Sequence, residues 1–153
     1  MLFIPPTPLA FALNTARHLS IRGRYPALLA LPDRWSSWFA GAVIGGLALI
    51  RRERIGVIFS TYPIATAHLV GLALRRLTGL PWIADFRDPM AQDDYPPDPK
   101  TKACYERIER EAICAATQSV FATPGAASLY KRRYPERAET IQILENGYDE
   151  ETF

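Results

Sequence analysis

Four short apolar runs dictate most of what this chain can fold into. They are "GVIFS" at 56–60, "PWIAD" at 81–85, "SVFAT" at 119–123 and "TIQIL" at 140–144. Each is too short for a stable helix, and most of their residues are β-branched, aromatic or otherwise apolar. A helical segment separates each run from the next. "IATAHLVGLALRRLTG" has Pro63 at its start and Gly79 past its end. "TKACYERIEREAICAAT" puts Cys104, Ile108, Ala112 and Ala115 on one stripe, with Glu106 and Arg110 spaced for an i,i+4 pair. "PGAASLYKRRY" reads as a shorter helix. Alternation of this kind predicts an α/β fold, and continuous apolar strands predict a doubly wound parallel sheet covered on both faces.

Upstream the signals are weaker. "MLFIPPTP" reads as a strand stopped by prolines, "LAFALNTARHLSI" as a helix ending near Gly23, and "GRYPALLALPDRW" as a loop. Trp35–Arg52 reads as a helix with a basic exit, "RRER". Its apolar part is shorter than the roughly 20 residues a membrane span needs. A buried helix is expected, with a helix lying on a membrane surface as the alternative.

The totals exclude several classes. With 153 residues the chain can bury one real core, and 48% hydrophobic with 22% charged residues is a globular composition. A net charge of +2 gives no case for nucleic acid. Cys104 and Cys114 fall about 15 Å apart on one helix, too far for a disulfide, and free thiols fit a reducing cytoplasm. The N-terminus has no basic start and no A-x-A-like cleavage site, so no secretory leader is expected.

Parallel sheets bind ligands at the carboxyl ends of their strands. Those ends carry Thr61 and Tyr62; Asp85, Arg87 and Asp88; Thr123 and Gly125; and Asn146 and Gly147. Asp85, Arg87 and Asp88 crowd together at the lip of an apolar strand. A carboxylate there can accept a hydroxyl proton or fix a sugar, or it can cap loop amides. Thr61 and Tyr62 precede a helix whose free amides and positive pole can hold an anion, or which is a plain helix start. His68, in the second turn, is a candidate ligand-binding residue or a packing residue. His18 is a weaker candidate. Gly125 leaves room for a ligand or makes a turn, and Asn146-Gly147 is a strong turn signal. Asp85 to Asp88 is D-x-x-D rather than D-x-D, "QDD" at 92–94 reads as solvated loop, and no Cys/His metal spacing occurs. P-loop, dinucleotide and nucleophile-elbow motifs are also missing from the sequence.

The stretch "VIFSTYPIATAHLVGLALRRLTGLPWIADFRDP", with "ERIERE", "SVFATPGAASLYKRRYP" and "ILENGYDEETF", resembles the N-terminal domain of glycosyltransferase family 4-like proteins. The resemblance is strongest to a bacterial subgroup with a D-F-R-D-P motif and runs from about residue 30 to 153. It implies a Rossmann-like domain, one half of a two-domain GT-B architecture, that binds the acceptor, a sugar or lipid-linked glycan. A C-terminal domain, in cis or in trans, would hold the nucleotide-sugar donor. It further implies retaining transfer without metal or cofactor, a role in cell-envelope or polysaccharide synthesis, and a cytoplasmic location, with peripheral contact at the inner membrane face as an open expectation. Residues 1–145 would form the domain and 146–153 the link to a donor domain that the chain lacks, so the chain alone is expected to be inactive.

Two departures stand out. "MLFIPPTPLAF" lacks the family's glycine-rich first loop, and Arg87 stands where many members carry a histidine. Asp85, Arg87 and Asp88 therefore inherit the catalytic position, with Thr61, Tyr62, His68, Thr123, Gly125, Asn146 and Gly147 as substrate-binding candidates. The rival expectation is a non-catalytic module that binds a glycan or a partner chain.

Overall fold

A computed structural model describes residues 31–147. The strand, helix and most of the loop expected within residues 1–30, His18 among them, lie outside the described residues, as does the segment from 148 onward. A 3-10 turn at Ser36–Trp38 leads into α1 (Phe39–Glu53). There follow β1 (Ile58–Thr61), α2 (Ala65–Thr78), β2 (Trp82–Arg87), α3 (Pro99–Ala115), β3 (Gln118–Phe121), α4 (Pro124–Arg133) and, after a 3-10 stretch, β4 (Ile141–Ile143). The four strands are all parallel, in the order β1-β2-β3-β4. The fold is an α/β domain of Rossmann-like type, as the alternating pattern predicts.

Local chemistry explains most boundaries. Gly79 takes a left-handed φ of 71° and its amide closes α2 on Arg75, a conformation glycine adopts without strain. Asp98 and Thr123 cap α3 and α4 by accepting from the Thr101 and Ala126 amides, and a proline occupies the first turn of each helix. The two cysteines are free and both lie on α3.

The apolar stripe of α3 is rotated from the expected one. Tyr105, Ile108, Glu109, Ala112 and Ile113 are buried, and Cys104 is only half-buried. The i,i+4 pair that forms is Arg107–Glu111, at 2.9 Å, rather than Glu106–Arg110.

Sequential strand order with right-handed crossovers puts α2, α3 and α4 on one face of the sheet. That face carries the core: Trp82, Phe86, Phe121, Tyr130, Ile113 and Ile141 are fully buried. Gly71 lets α2 approach closely, because a Cβ there would sit 2.6 Å from Trp82 Nε1. Along β1 burial alternates, with Ile58 and Ser60 inside and Phe59 and Thr61 outside. A helix layer on the second face, which the uniformly apolar strands predict, is not found among the described residues. α1 forms a third layer, packed on α2.

Candidate functional site at the strand carboxyl ends

The site grows from one irregularity in β2. The β2–β3 register slips between Asp85 and Arg87, so Phe86 is the extra residue of a bulge. Its ring drops into the core, stacked on Phe121 at 5.2 Å and lying against His68 at 4.6 Å. Arg87 pays for this with a positive φ of 56°. Left-handed backbone is costly for a long L side chain, and such outliers gather at functional sites.

Asp85 stabilises the bulge. Its Oδ1 accepts the Arg87 amide at 3.2 Å and its Oδ2 accepts the Thr61 hydroxyl at 2.7 Å. The β1–β2 ladder continues past the strand, with the Tyr62 amide donating to Asp85 O at 2.9 Å. Asp85 is thus oriented by two donors and still half-exposed. The Arg87 side chain is exposed, and no hydrogen bond or ion pair engages its guanidinium among the described residues.

The remaining predicted residues divide into three groups. Thr123 caps α4 with its hydroxyl, and a Cβ at the neighbouring Gly125 would meet nothing within 4 Å. Asn146 and Gly147 are exposed beyond β4, whose hydrogen bonding ends with Leu144 N donating to Phe121 O. Tyr62 is buried edge-on against Tyr105, and burial, followed by the nearby Tyr95, pushes its hydroxyl well above the ordinary range. Asp88 lies close enough to raise it further.

His68 stands apart from this edge. It has no exposed surface. Trp82 Nε1 donates to Ser60 Oγ at 2.9 Å, and Ser60 Oγ shares a hydrogen bond with His68 Nδ1 at 2.8 Å. His68 Nε2 finds no hydrogen-bond partner among the described residues. Burial lowers its pKa to about 3, so it is neutral at physiological pH.

Two further residues shape the edge, and sequence reasoning missed both. Asp33 reaches across to α2: its Oδ2 accepts the Thr66 amide at 2.8 Å and its Oδ1 accepts the Thr66 hydroxyl at 2.9 Å. The helix N-terminus read as an anion seat is therefore filled by the chain's own carboxylate. Beside it opens a cavity of about 400 Å³ lined by Asp33, Arg34, Trp35, Pro63 and Ile64, with the Arg34 guanidinium 5.0 Å over the Trp35 ring. A larger cleft, about 460 Å³, lies between the start of α1 and helices α2 and α3, running from Thr66 to Arg76 along α2, and its charged members Arg76, Arg107 and Glu111 are paired with one another.

The second missed residue is Glu109, 1% exposed. Oε1 accepts from Arg133 Nη1 at 2.7 Å and from the Tyr134 hydroxyl at 2.9 Å. Oε2 accepts from the Ala91 amide at 3.2 Å and from the Tyr130 hydroxyl. Tyr130 in turn accepts the Met90 amide at 2.9 Å, and Arg133 donates to Ala91 O at 3.0 Å. Burial, then the carboxylate, raises the Tyr130 and Tyr134 hydroxyls far above their ordinary values. This clamp fixes the chain just beyond Asp88. One signal existed: Glu109 sits among apolar residues on the buried stripe of α3.

A family profile for the glycosyl transferase 4-like domain matches residues 5–147. The chain belongs to this family. No curated protein matches it. Within the family's fold, the residues gathered at the strand ends are polar groups on a rigid sheet, suited to holding a hydroxylated ligand. Among the described residues no cluster of His, Cys, Asp and Glu could hold a metal ion, and no helix is long and apolar enough to cross a membrane.

Proposed function

We propose that the chain is the acceptor-side domain of a glycosyltransferase, and that Asp85, Arg87 and Asp88 form the reactive lip. The observation that carries this reading is the β2 bulge. It holds an arginine in strained backbone, its guanidinium unengaged among the described residues, beside a carboxylate fixed by Thr61. Strain at an exposed charged residue makes sense where a ligand uses that residue.

In this reading an acceptor hydroxyl attacks the anomeric carbon of a nucleotide sugar, and the nucleoside diphosphate leaves. Asp85 orients the attacking hydroxyl, whose proton passes to the departing diphosphate as the new glycosidic bond forms and the old one breaks, and Arg87 offsets the negative charge that grows on the leaving group. Thr123 and Gly125, and Asn146 and Gly147, flank the lip as substrate contacts, and the Trp35 ring offers a sugar a stacking surface. Finer assignments rest on the D-F-R-D-P resemblance: retention of configuration, independence of metal, envelope or polysaccharide products, a cytoplasmic setting, and a donor-binding domain in the same or another chain.

Glycan-array screening of the full chain tests the reading. Binding to one glycan class is expected, and Asp85→Asn and Arg87→Ala should each weaken it at least tenfold while the protein stays folded. Glycan binding unchanged in both variants would refute the site. Binding without transfer, when a donor-binding domain and nucleotide sugars are supplied, favours the rival reading of a non-catalytic module.

A further inference from the structure

We infer that the cavity beside the start of α2 takes an acidic sugar, one carrying a carboxylate or a phosphate, and that Arg34 selects it. The inference rests on the acceptor-binding reading above and names the substrate class. Arg34 is exposed, and its guanidinium lies 5.0 Å over the ring of the half-buried Trp35. Such stacking uses the flat face of the guanidinium. Its N–H edge, five donors in a fixed fork, stays unspent. No hydrogen bond or ion pair takes up that edge among the described residues. The indole thus fixes the direction of the fork in advance, which lowers the entropy lost when a ligand binds.

Charge selects the ligand. Asp33 is the one carboxylate lining the cavity among the described residues. It is already spent: it accepts the Trp35 amide at 2.8 Å as well as the Thr66 amide and hydroxyl, and its backbone carbonyl accepts the Ser36 amide at 3.2 Å. These bonds hold the 33–36 turn rigidly on α2 and leave Arg34 as the free charge of the cavity. A guanidinium fork matches a carboxylate or a phosphate as a bidentate pair. Trp35, Pro63 and Ile64 supply apolar wall for the C–H face of a sugar ring, and about 400 Å³ is within the range of small-ligand sites. The cavity also lies on the reactive edge. Pro63 directly follows Thr61, whose hydroxyl bonds Asp85 at 2.7 Å, and Tyr62, whose amide bonds Asp85 O at 2.9 Å. A glycan anchored by its acid group at Arg34 therefore lies along the strand ends that carry the lip.

NMR titration of the full chain with glucuronate, glucose 1-phosphate and glucose tests this, read on the Trp35 indole N–H, which Trp35→Phe assigns. Saturable shifts at the Trp35 indole and the Ile64 amide are expected with an acidic probe, at a Kd about tenfold or more below that for glucose. They should weaken as salt rises. The tighter of the two acidic probes tells carboxylate from phosphate recognition. Arg34→Gln should weaken acidic-probe binding about tenfold or more. Arg34→Lys keeps the charge without the fork and should weaken it less. Arg132→Gln, on α4, should leave it unchanged. Arg34 is exposed, so its variants should keep the wild-type circular dichroism spectrum. Three results would overturn the inference: glucose binding as tightly as both acidic probes, no shift of Trp35 with either acid, or wild-type acid binding by Arg34→Gln. Failure here is distinct from failure of the lip. Glycan binding lost in Asp85→Asn and Arg87→Ala, yet with no preference for acidic glycans and no response to Arg34→Gln, sinks this inference alone. Acid-induced shifts at Trp35, with glycan binding unchanged in both lip variants, sink the catalytic reading alone.

Discussion

Replacing Glu109 with alanine removes the acceptor for four donors at once. The Tyr130 and Tyr134 hydroxyls and the Ala91 amide lose their acceptor, and Arg133 loses its counter-charge and keeps only Ala91 O. Breaking a buried ion pair from one side costs about 3–5 kcal/mol, because an uncompensated charge stays behind. The Arg133 side chain is 33% exposed and can turn to water, which places the loss near the low end, about 3 kcal/mol. For a chain of this size that is a fall of roughly 6–12 °C in Tm. Glu109→Gln keeps the shape but turns an NH2 toward groups that donate, and about 2 kcal/mol should be lost. Thermal and urea unfolding measure both. A double-mutant cycle with Arg133→Met should give a coupling of about 1–3 kcal/mol. Hydrogen exchange supplies the local readout: the Met90 and Ala91 amides should lose protection in Glu109→Ala more than those of β3 do. A Glu109→Ala variant within about 0.5 kcal/mol of wild type, with Met90 and Ala91 still protected, would refute the clamp.

Three other outcomes follow from the same packing. His68 has its pKa lowered to about 3 by burial, so below about pH 6.5 the unfolded state binds the proton that the folded state excludes. Stability should therefore fall by about 2 kcal/mol between pH 7 and pH 5, and His68→Gln should flatten that slope in urea titrations at each pH. Gly71→Ala drives a methyl into the Trp82 indole; despite better helix propensity it should cost about 1–3 kcal/mol of unfolding free energy. Arg87→Gly relieves the left-handed strain and should raise stability by up to about 1 kcal/mol while abolishing glycan binding; a loss of stability would show that the arginine is structural.

What the sequence disclosed and what it hid divide along sequence separation. The strands, α2, α3 and α4 were legible because their signals are local: apolar runs, Pro124 in a first turn, Gly79 past a last one. The strand-end residues were legible because topology alone places them there. The Asp33–Thr66 contact and the Glu109–Arg133 clamp join residues far apart in sequence, and no local pattern announces them. The bulge was hidden because nothing about Phe86 or Arg87 marks a positive φ. The alternation along β1 was hidden because Phe59 is as apolar as Ile58, although Ile58 is buried and Phe59 is exposed. His68 lay on the buried side of its helix, but a helix stripe does not reveal that Ser60 and Trp82 would enclose it.

The most direct test of the central claim is amide chemical-shift mapping of the full chain titrated with the glycan class it binds. The account predicts saturable shifts at Thr61, Asp85–Asp88, Thr123 and Gly125, lost in Arg87→Ala. Shifts confined to the cleft between α1, α2 and α3, or identical shifts in Arg87→Ala, would contradict it.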